Sequence, residues 1–159
     1  MENMLVAYFS ASGTTARVAR DLAEATGADL FEIAPEQPYT NADLNWRDKG
    51  SRTTAEMNDE SYRPAIAGEV DGMGRYDIVF VGFPVWWYVE PRIIDTFLEA
   101  YDFAGKTIVP FATSGGSGLG KAPQRMQALA LGAKVLAGGL LNGRPSKAEL
   151  TEWAKRALA

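Results

Sequence analysis

The sequence of 159 residues contains neither cysteine nor histidine. Without cysteine the chain forms no disulfide, offers no thiol nucleophile and builds no zinc–thiolate centre. Without histidine it lacks the commonest general base of enzymes and cannot assemble a Ser-His-Asp triad. Any chemistry must therefore depend on carboxylates, hydroxyls or a bound cofactor.

Basic charge and long apolar runs are also scarce. There are 16 Lys and Arg residues against 20 Asp and Glu residues, and the formal net charge is -4. No basic stripe is visible, so nucleic acids and anionic membranes are poor candidate partners. No apolar run is long enough for a signal peptide or a membrane span, and we expect a cytoplasmic protein. The length and the 47% hydrophobic content predict a single domain over residues 1–159.

Two common nucleotide-binding motifs are absent as well. The chain has no GxxxxGK[ST] motif and no GxGxxG motif, so it lacks both the lysine-containing P-loop and the dinucleotide fingerprint. What stands near the N-terminus instead is an apolar run from Met4 to Phe9, then a hydroxyl-rich turn at residues 10–15, then an amphipathic pattern. This order predicts a buried strand, a loop and a helix.

The hydroxyl-rich turn has two interpretations. The first amides of a helix are unpaired and the helix dipole is positive there, so the turn could bind a phosphate through hydroxyls and amides alone. Such a loop suits one terminal monophosphate. Ser and Thr are also common helix N-caps, so an ordinary capped helix explains the same residues.

Further strands and helices alternate along the chain. Strands are predicted at residues 28–33, 78–83, 106–112 and 135–141. Helices are predicted before Gly27, after Pro91, at residues 122–131 and after a capping box at Ser146. This alternation predicts an α/β fold, a parallel sheet with helices on both faces.

Residues 36–75 interrupt that alternation with a polar segment in which no strand is expected. A helix is predicted within residues 41–58, capped by Thr40 or Asn41, and Tyr39 and Trp46 are candidates to pin the segment to the body. The segment is either a solvated crossover or a lid over a ligand.

Three loops follow strands that end at the same edge of such a sheet, where open α/β proteins bind ligands. We name them the hydroxyl loop (residues 10–15), the aromatic loop (residues 84–91) and the glycine loop (residues 113–120). The hydroxyl loop offers a phosphate site and the aromatic loop offers stacking faces. The glycine loop lets backbone amides approach a ring edge, because no Cβ intervenes. Flavin mononucleotide (FMN) meets all three conditions.

The chain also resembles the flavodoxin-like proteins, in the segments FSASGTTARVA, DLNWRDKGSR, YDIVFVGFPVWWYVEP and TFLEAYDFAGKTIVPFATSGGSGLG. The resemblance implies a five-stranded parallel sheet in the order 2-1-3-4-5, with FMN bound noncovalently at the strand ends. The residues it implies are Ser10, Ser12, Gly13, Thr14 and Thr15 for the phosphate, Pro84, Val85, Trp86, Trp87 and Tyr88 beside the isoalloxazine, and Thr113, Ser114, Gly115 and Gly116 at its pyrimidine edge.

The sequence departs from many electron-carrier flavodoxins in the glycine loop, where those proteins often have a stacking Tyr and acidic residues. A flavin face left open there could admit a substrate, and fewer acidic groups should make the flavin easier to reduce. Three functions therefore stay open. They are an FMN electron carrier, an FMN-dependent NAD(P)H oxidoreductase acting on quinones or similar acceptors, and a binding module without the cofactor.

The carrier is the first expectation. It would dock on redox proteins through an acidic face, for which the candidate residues are Glu90, Asp95, Glu99 and Asp102. We expect the partner to be a redox protein or a small-molecule acceptor, and the protein to be a monomer or weak dimer.

Overall fold

The computed structural model describes residues 3–114 and 118–159. The strands within these ranges are β1 (Met4–Tyr8), β2 (Asp29–Glu32), β3 (Ala34–Pro35), β4 (Ile66–Ala67), β5 (Ile78–Pro84), β6 (Thr107–Thr113), β7 (Lys134–Val135) and β8 (Gly139–Leu140). The helices are α1 (Thr14–Thr26), α2 (Arg52–Met57), α3 (Arg92–Ala100), α4 (Ala122–Leu129) and α5 (Lys147–Leu158), with a 3-10 turn at Met73–Arg75.

The main sheet is parallel, and its strands lie in the order β2-β1-β5-β6-β7, with β8 also paired to β6. When β5, β6 and the β7–β8 pair are counted as the third, fourth and fifth strands, this is the order 2-1-3-4-5. The predicted flavodoxin-like topology is confirmed. The central strand β5 is buried from Ile78 to Phe83, as its uninterrupted apolar sequence predicts.

The last strand was predicted to be continuous, and that prediction is wrong. The carbonyls of Ile108 and Ala112 point from β6 towards this last strand and accept hydrogen bonds from it. Pro110 lies midway between them in β6, so its nitrogen also points towards the last strand. Proline has no N–H to donate there, and the neighbouring strand divides into β7 and β8 at this level. Gly138 makes the break with a φ of 67°, and a Cβ on it would collide with the Pro110 carbonyl.

Helices cover both faces of the sheet, because successive side chains of each strand point to opposite sides. Leu5 and Ala7 of β1 belong to the apolar cluster that includes α3 and α4, whereas Val6 and Tyr8 belong to the cluster that includes α1 and α5. Two helix ends follow the sequence closely. Gly27 ends α1 with a φ of 76°, and the capping box of Ser146 opens α5.

The polar segment at residues 36–75 contains more structure than the sequence indicates. Strand β4 lies within this segment, although no strand was expected there, and it pairs antiparallel with β3, which immediately precedes the segment. The predicted helix exists as α2, but it is shorter, and Ser51 caps it rather than Thr40 or Asn41. Several hydroxyl and amide side chains compete for that role, and local sequence does not rank them.

Candidate functional site

The three loops meet at the carboxyl edge of β1, β5 and β6. The hydroxyls of Thr15 and Thr113 are 2.8 Å apart and buried, which joins the hydroxyl loop to the end of β6. The backbone N–H of Val85 donates to the Thr113 carbonyl at 3.0 Å, which joins the aromatic loop to the same residue. Gly115 and Gly116, predicted for the ring edge, lie outside the described residues.

The hydroxyl loop is not an ordinary Ser or Thr cap. The N-cap of α1 is Gly13, with a φ of 95° and no capping side chain. Ser10 turns inward, and its hydroxyl accepts the Gly13 N–H at 3.1 Å. Ser12 and Thr14 are exposed, and no hydrogen bond between described residues engages their hydroxyls. The loop therefore presents two free hydroxyls beside the start of a helix, which is the arrangement that an anion requires.

The aromatic loop contains a very tight turn. Trp86 and Val89 exchange two backbone hydrogen bonds of 3.0 and 3.1 Å, so Trp87 and Tyr88 are the central residues of a two-residue hairpin. Both have positive φ, 49° and 68°, as in a type I′ turn. That turn favours Asn-Gly, and each bulky residue held there costs about 1–2 kcal/mol.

This turn gives the two adjacent indoles different surroundings. The ring of Trp86 packs edge-on against Phe9 and Tyr39, with each centroid distance 5.5 Å. Trp87 is 41% exposed and Tyr88 is 70% exposed. The strained backbone therefore keeps one indole in the body and presents the next two rings at the sheet edge. Whether Trp87 lies against a cofactor stays a prediction.

The residue that joins this rim to the polar segment is Tyr39. Its hydroxyl donates to Glu56 at 2.6 Å, and the Arg52 guanidinium lies 3.8 Å from its ring centroid. Burial and the Glu56 carboxylate raise the pKa of Tyr39, so the phenol is neutral. Trp46, the other proposed pin, is 63% exposed, and that prediction is wrong. The segment borders the site through Tyr39, while its Trp46 region is solvated.

The predicted acidic docking face is also wrong in part. Glu99 and Asp102 are exposed, but Glu90 and Asp95 have no exposed surface. Their carboxylates turn inward because guanidinium groups converge on them, with Arg125 at 3.3 Å from Glu90 and 3.5 Å from Asp95. Arg92 and Arg63 also approach Asp95, at 3.6 and 3.9 Å.

These buried carboxyls are short of hydrogen-bond donors. Within the described part of the chain, Glu90 Oε1 and both Asp95 oxygens have no hydrogen-bond partner. Burial, with the Asp95 carboxylate beside it, raises the pKa of Glu90 to about 9 against the opposing effect of Arg125. Glu90 therefore keeps its proton at neutral pH, which lowers the negative charge that is buried at this position.

Sequence reasoning did not find this buried cluster. Glu90 and Asp95 stand next to a proline and in the first turn of a helix, and both positions are usually solvated. Arg92 stands three residues before Asp95, but Arg63 and Arg125 come from distant parts of the chain. No spacing rule in the sequence connects those two arginines to the buried acids.

Comparison with known proteins identifies the family of the chain. The flavodoxin family model matches residues 3–157. The chain belongs to the flavodoxin family. None of the curated proteins compared with it matches.

Solved structures place the chain among flavoproteins of similar size. A Bacteroides eggerthii DSM 20697 protein described as a flavoprotein is 48% identical, with a TM-score of 0.92 over 100% of this chain and 99% of its own. A comparable protein from Bacteroides uniformis is 46% identical, with a TM-score of 0.89 over 97% and 98%. The Lactobacillus acidophilus NCFM flavoprotein in complex with FMN is 22% identical, with a TM-score of 0.72 over 97% and 99%, and shares the fold.

Neither a metal-binding cluster nor a membrane-spanning helix occurs in the described residues. Between residues 3 and 114 and between 118 and 159, no cluster of acidic side chains is arranged to hold a metal ion. No helix in the same ranges has the length and apolar character needed to cross a membrane.

The turn strain predicts that Tyr88→Gly raises the free energy of unfolding by up to about 1 kcal/mol, since glycine adopts positive φ without a steric penalty. Denaturant midpoints of the apoprotein measure the change. The matched control is Tyr62→Gly, at an exposed tyrosine with ordinary φ, which should lower stability because glycine adds unfolded-state entropy. Equal losses in both variants would show that the turn stores no strain.

The buried acid predicts a pH dependence of stability. Because the pKa of Glu90 is raised to about 9, the folded chain holds a proton that the unfolded chain releases above its ordinary value of 4.5. The free energy of unfolding should therefore fall as pH rises through this window, by at most about 1.4 kcal/mol per pH unit.

Glu90→Gln, the neutral isostere, should flatten that slope in denaturant titrations between these pH values. Glu60→Gln is the matched control, because Glu60 pairs with the same Arg125 but is 80% exposed. A slope that Glu90→Gln leaves unchanged would assign the pH dependence to other groups.

Proposed function

We propose that the protein binds FMN and acts as an electron carrier of the flavodoxin type. The observation that supports this most is the strained turn, which exposes Trp87 and Tyr88 at the same sheet edge as the unengaged hydroxyls of Ser12 and Thr14. Strain of this kind persists only where surrounding structure maintains it, and it is concentrated at ligand sites. Membership of the flavodoxin family and the FMN complex of the Lactobacillus relative support the same cofactor.

The described residues fit the parts of FMN unequally. Ser12, Gly13 and Thr14 stand where a phosphate would meet hydroxyls and helix amides, and Trp87 offers an exposed ring face. The hydroxyls of Thr15 and Thr113 hydrogen-bond to each other, so in this structure these residues hold together two of the chain segments that border the site. Bound FMN would supply one- and two-electron transfer.

Ser114 also has a positioning contact of its own. Its N–H donates to the Asn142 side chain at 2.9 Å, and its carbonyl accepts from the same amide at 2.8 Å. Asn142 thus holds the start of the glycine loop at the end of β6, from which the loop would reach the pyrimidine edge.

We propose the electron carrier rather than the reductase because of the residues that are exposed on the aromatic loop. Tyr88 is the most exposed of the large hydrophobic residues in the aromatic loop, and it extends the apolar rim outward, where a protein partner could cover it. Two acidic residues of the expected docking face are buried, so contact would depend more on this rim than on charge. A redox protein as partner, a monomeric or weakly dimeric state and a cytoplasmic location are part of the proposal.

An NAD(P)H oxidoreductase acting on quinones or similar small acceptors is the second candidate. It is favoured by the glycine loop, whose sequence has no aromatic residue to cover a flavin face.

The hydroxyl loop predicts that Ser12→Ala and Thr14→Ala each weaken FMN binding about tenfold to a hundredfold, since a hydrogen bond to a charged group contributes about 1.5–3 kcal/mol. Riboflavin, which lacks the phosphate, should respond far less. Fluorescence titration of the apoprotein measures both ligands. Thr26→Ala, at the other end of α1, is the control and should change neither. Equal weakening of FMN and riboflavin would mean that these hydroxyls serve the fold.

The carrier proposal predicts slow reduction of the FMN-loaded protein by NADH or NADPH alone and rapid reduction when a flavodoxin reductase is added. Stopped-flow absorbance of the flavin band distinguishes the two. Rapid turnover with NADH or NADPH and a quinone, without any added reductase, would replace the carrier with the oxidoreductase.

A further inference from the structure

A cavity lies beside the hydroxyl loop, on the side of the sheet where α1 and α5 pack. Its volume is about 310 Å³. One wall is the first part of α1, with Thr14, Arg17 and Val18, and the other is formed by Ser114 and residues 141–144. The cavity therefore joins the start of a helix to the segment that follows β8.

The charge of this cavity is not balanced by the protein. Arg17 and Arg144 both line it, and no acidic residue does. Arg17 and Arg144 are exposed, and neither forms an ion pair within the described part of the chain, as is also true of Arg20, Arg47 and Arg156. Arg17 and Arg144 differ from those three because they line the same cavity. Two unpaired guanidinium groups on one cavity repel each other. In a chain of net charge -4, the placement of two positive groups on the same cavity favours an anionic ligand.

The backbone beneath Arg144 is a second, independent observation. Arg144 has a φ of 52°, a conformation that costs a non-glycine residue about 1–2 kcal/mol. Gly143 before it has a φ of 78°, so two consecutive residues turn the chain towards α1. Asn142, on the other side of Gly143, is held by two hydrogen bonds to Ser114. The backbone that carries Arg144 is thus anchored beside the cavity that this residue lines.

We propose that Arg17 and Arg144 form a binding site for a phosphoryl group that adjoins the hydroxyl loop and shares Thr14 with it. Guanidinium groups bind phosphoryl oxygens in pairs, and the start of α1 adds favourable dipole charge. Thr14 and Asn142 also line the cavity and supply neutral hydrogen-bonding groups beside the two guanidinium groups. This inference rests on the proposed function in one respect only, which is the identity of the molecule that carries the phosphoryl group.

Two sources offer this chemistry. One is the phosphate of FMN itself, reached from the Thr14 side. The other is a separate phosphorylated molecule, such as the pyridine dinucleotide that an oxidoreductase would use. Binding of inorganic phosphate to FMN-free and FMN-loaded protein separates them, because only the second source leaves the site open after FMN has bound.

The test compares Arg17→Gln, Arg144→Gln and the double variant in calorimetric titrations with FMN, riboflavin and inorganic phosphate at low ionic strength. Arg20→Gln is the matched control, because it removes an exposed arginine of the same helix that does not line the cavity. Arg144→Gly is the second variant at that position, and it should remove binding while relieving the positive φ, so loss of affinity cannot be ascribed to a weakened fold.

If FMN is the source, the double variant should lose about tenfold or more in FMN affinity and nothing in riboflavin affinity, with a smaller loss at high salt. If a separate molecule is the source, the double variant should keep the FMN affinity of the wild type. The FMN-loaded wild type should then bind inorganic phosphate and prefer NADPH to NADH, and the double variant should lose both the phosphate binding and the preference. Variants that match Arg20→Gln with every ligand would overturn the site. A wild type that fails to bind FMN would overturn the proposed function instead, and the phosphate titration of the FMN-free protein would still decide this inference.

Discussion

The parallel pairing of β1, β5 and β6 is the constraint on which the site depends. Parallel strands end at one edge, so the loops that follow these three strands are neighbours whatever their sequences. The buried hydrogen bond between Thr15 and Thr113 then joins two of these loops across 98 residues of sequence. The hydroxyl loop, the aromatic loop and the start of the glycine loop are neighbours because the sheet brings these strand ends together.

Local chemistry in the sequence was enough to predict the parts of this fold that local interactions determine. The apolar run of β5, the glycine that ends α1 and the capping box of Ser146 all depend on residues a few positions apart. The break between β7 and β8 was missed because its cause, Pro110, lies on a different strand. The positive φ of Trp87 and Tyr88 was missed because neither residue type signals such a turn.

Burial of charge was the least predictable feature. Glu90 and Asp95 stand at positions that are usually solvated, yet Arg92 of the helix that contains Asp95 and two arginines from distant segments enclose them. Arg92 also donates to the backbone carbonyls of Glu56 and Met57, at the end of α2. The cluster therefore connects the polar segment, α3 and α4 at the base of the aromatic loop. Removing one member would leave other charges buried and unpaired, which is costly in a protein interior.

The strained turn and the buried acid pair are therefore related features of one loop. The aromatic loop holds two bulky residues at positive φ and then ends at a carboxyl that must keep its proton. Both features lower stability, and neither improves the packing of the core, which Val85 and Trp86 of this loop contact instead. A loop selected only for stability would place Gly at the turn and an apolar residue at position 90. The cost is understandable if exposed rings at the sheet edge are what the loop must provide, with the arginine cluster holding its far end in place.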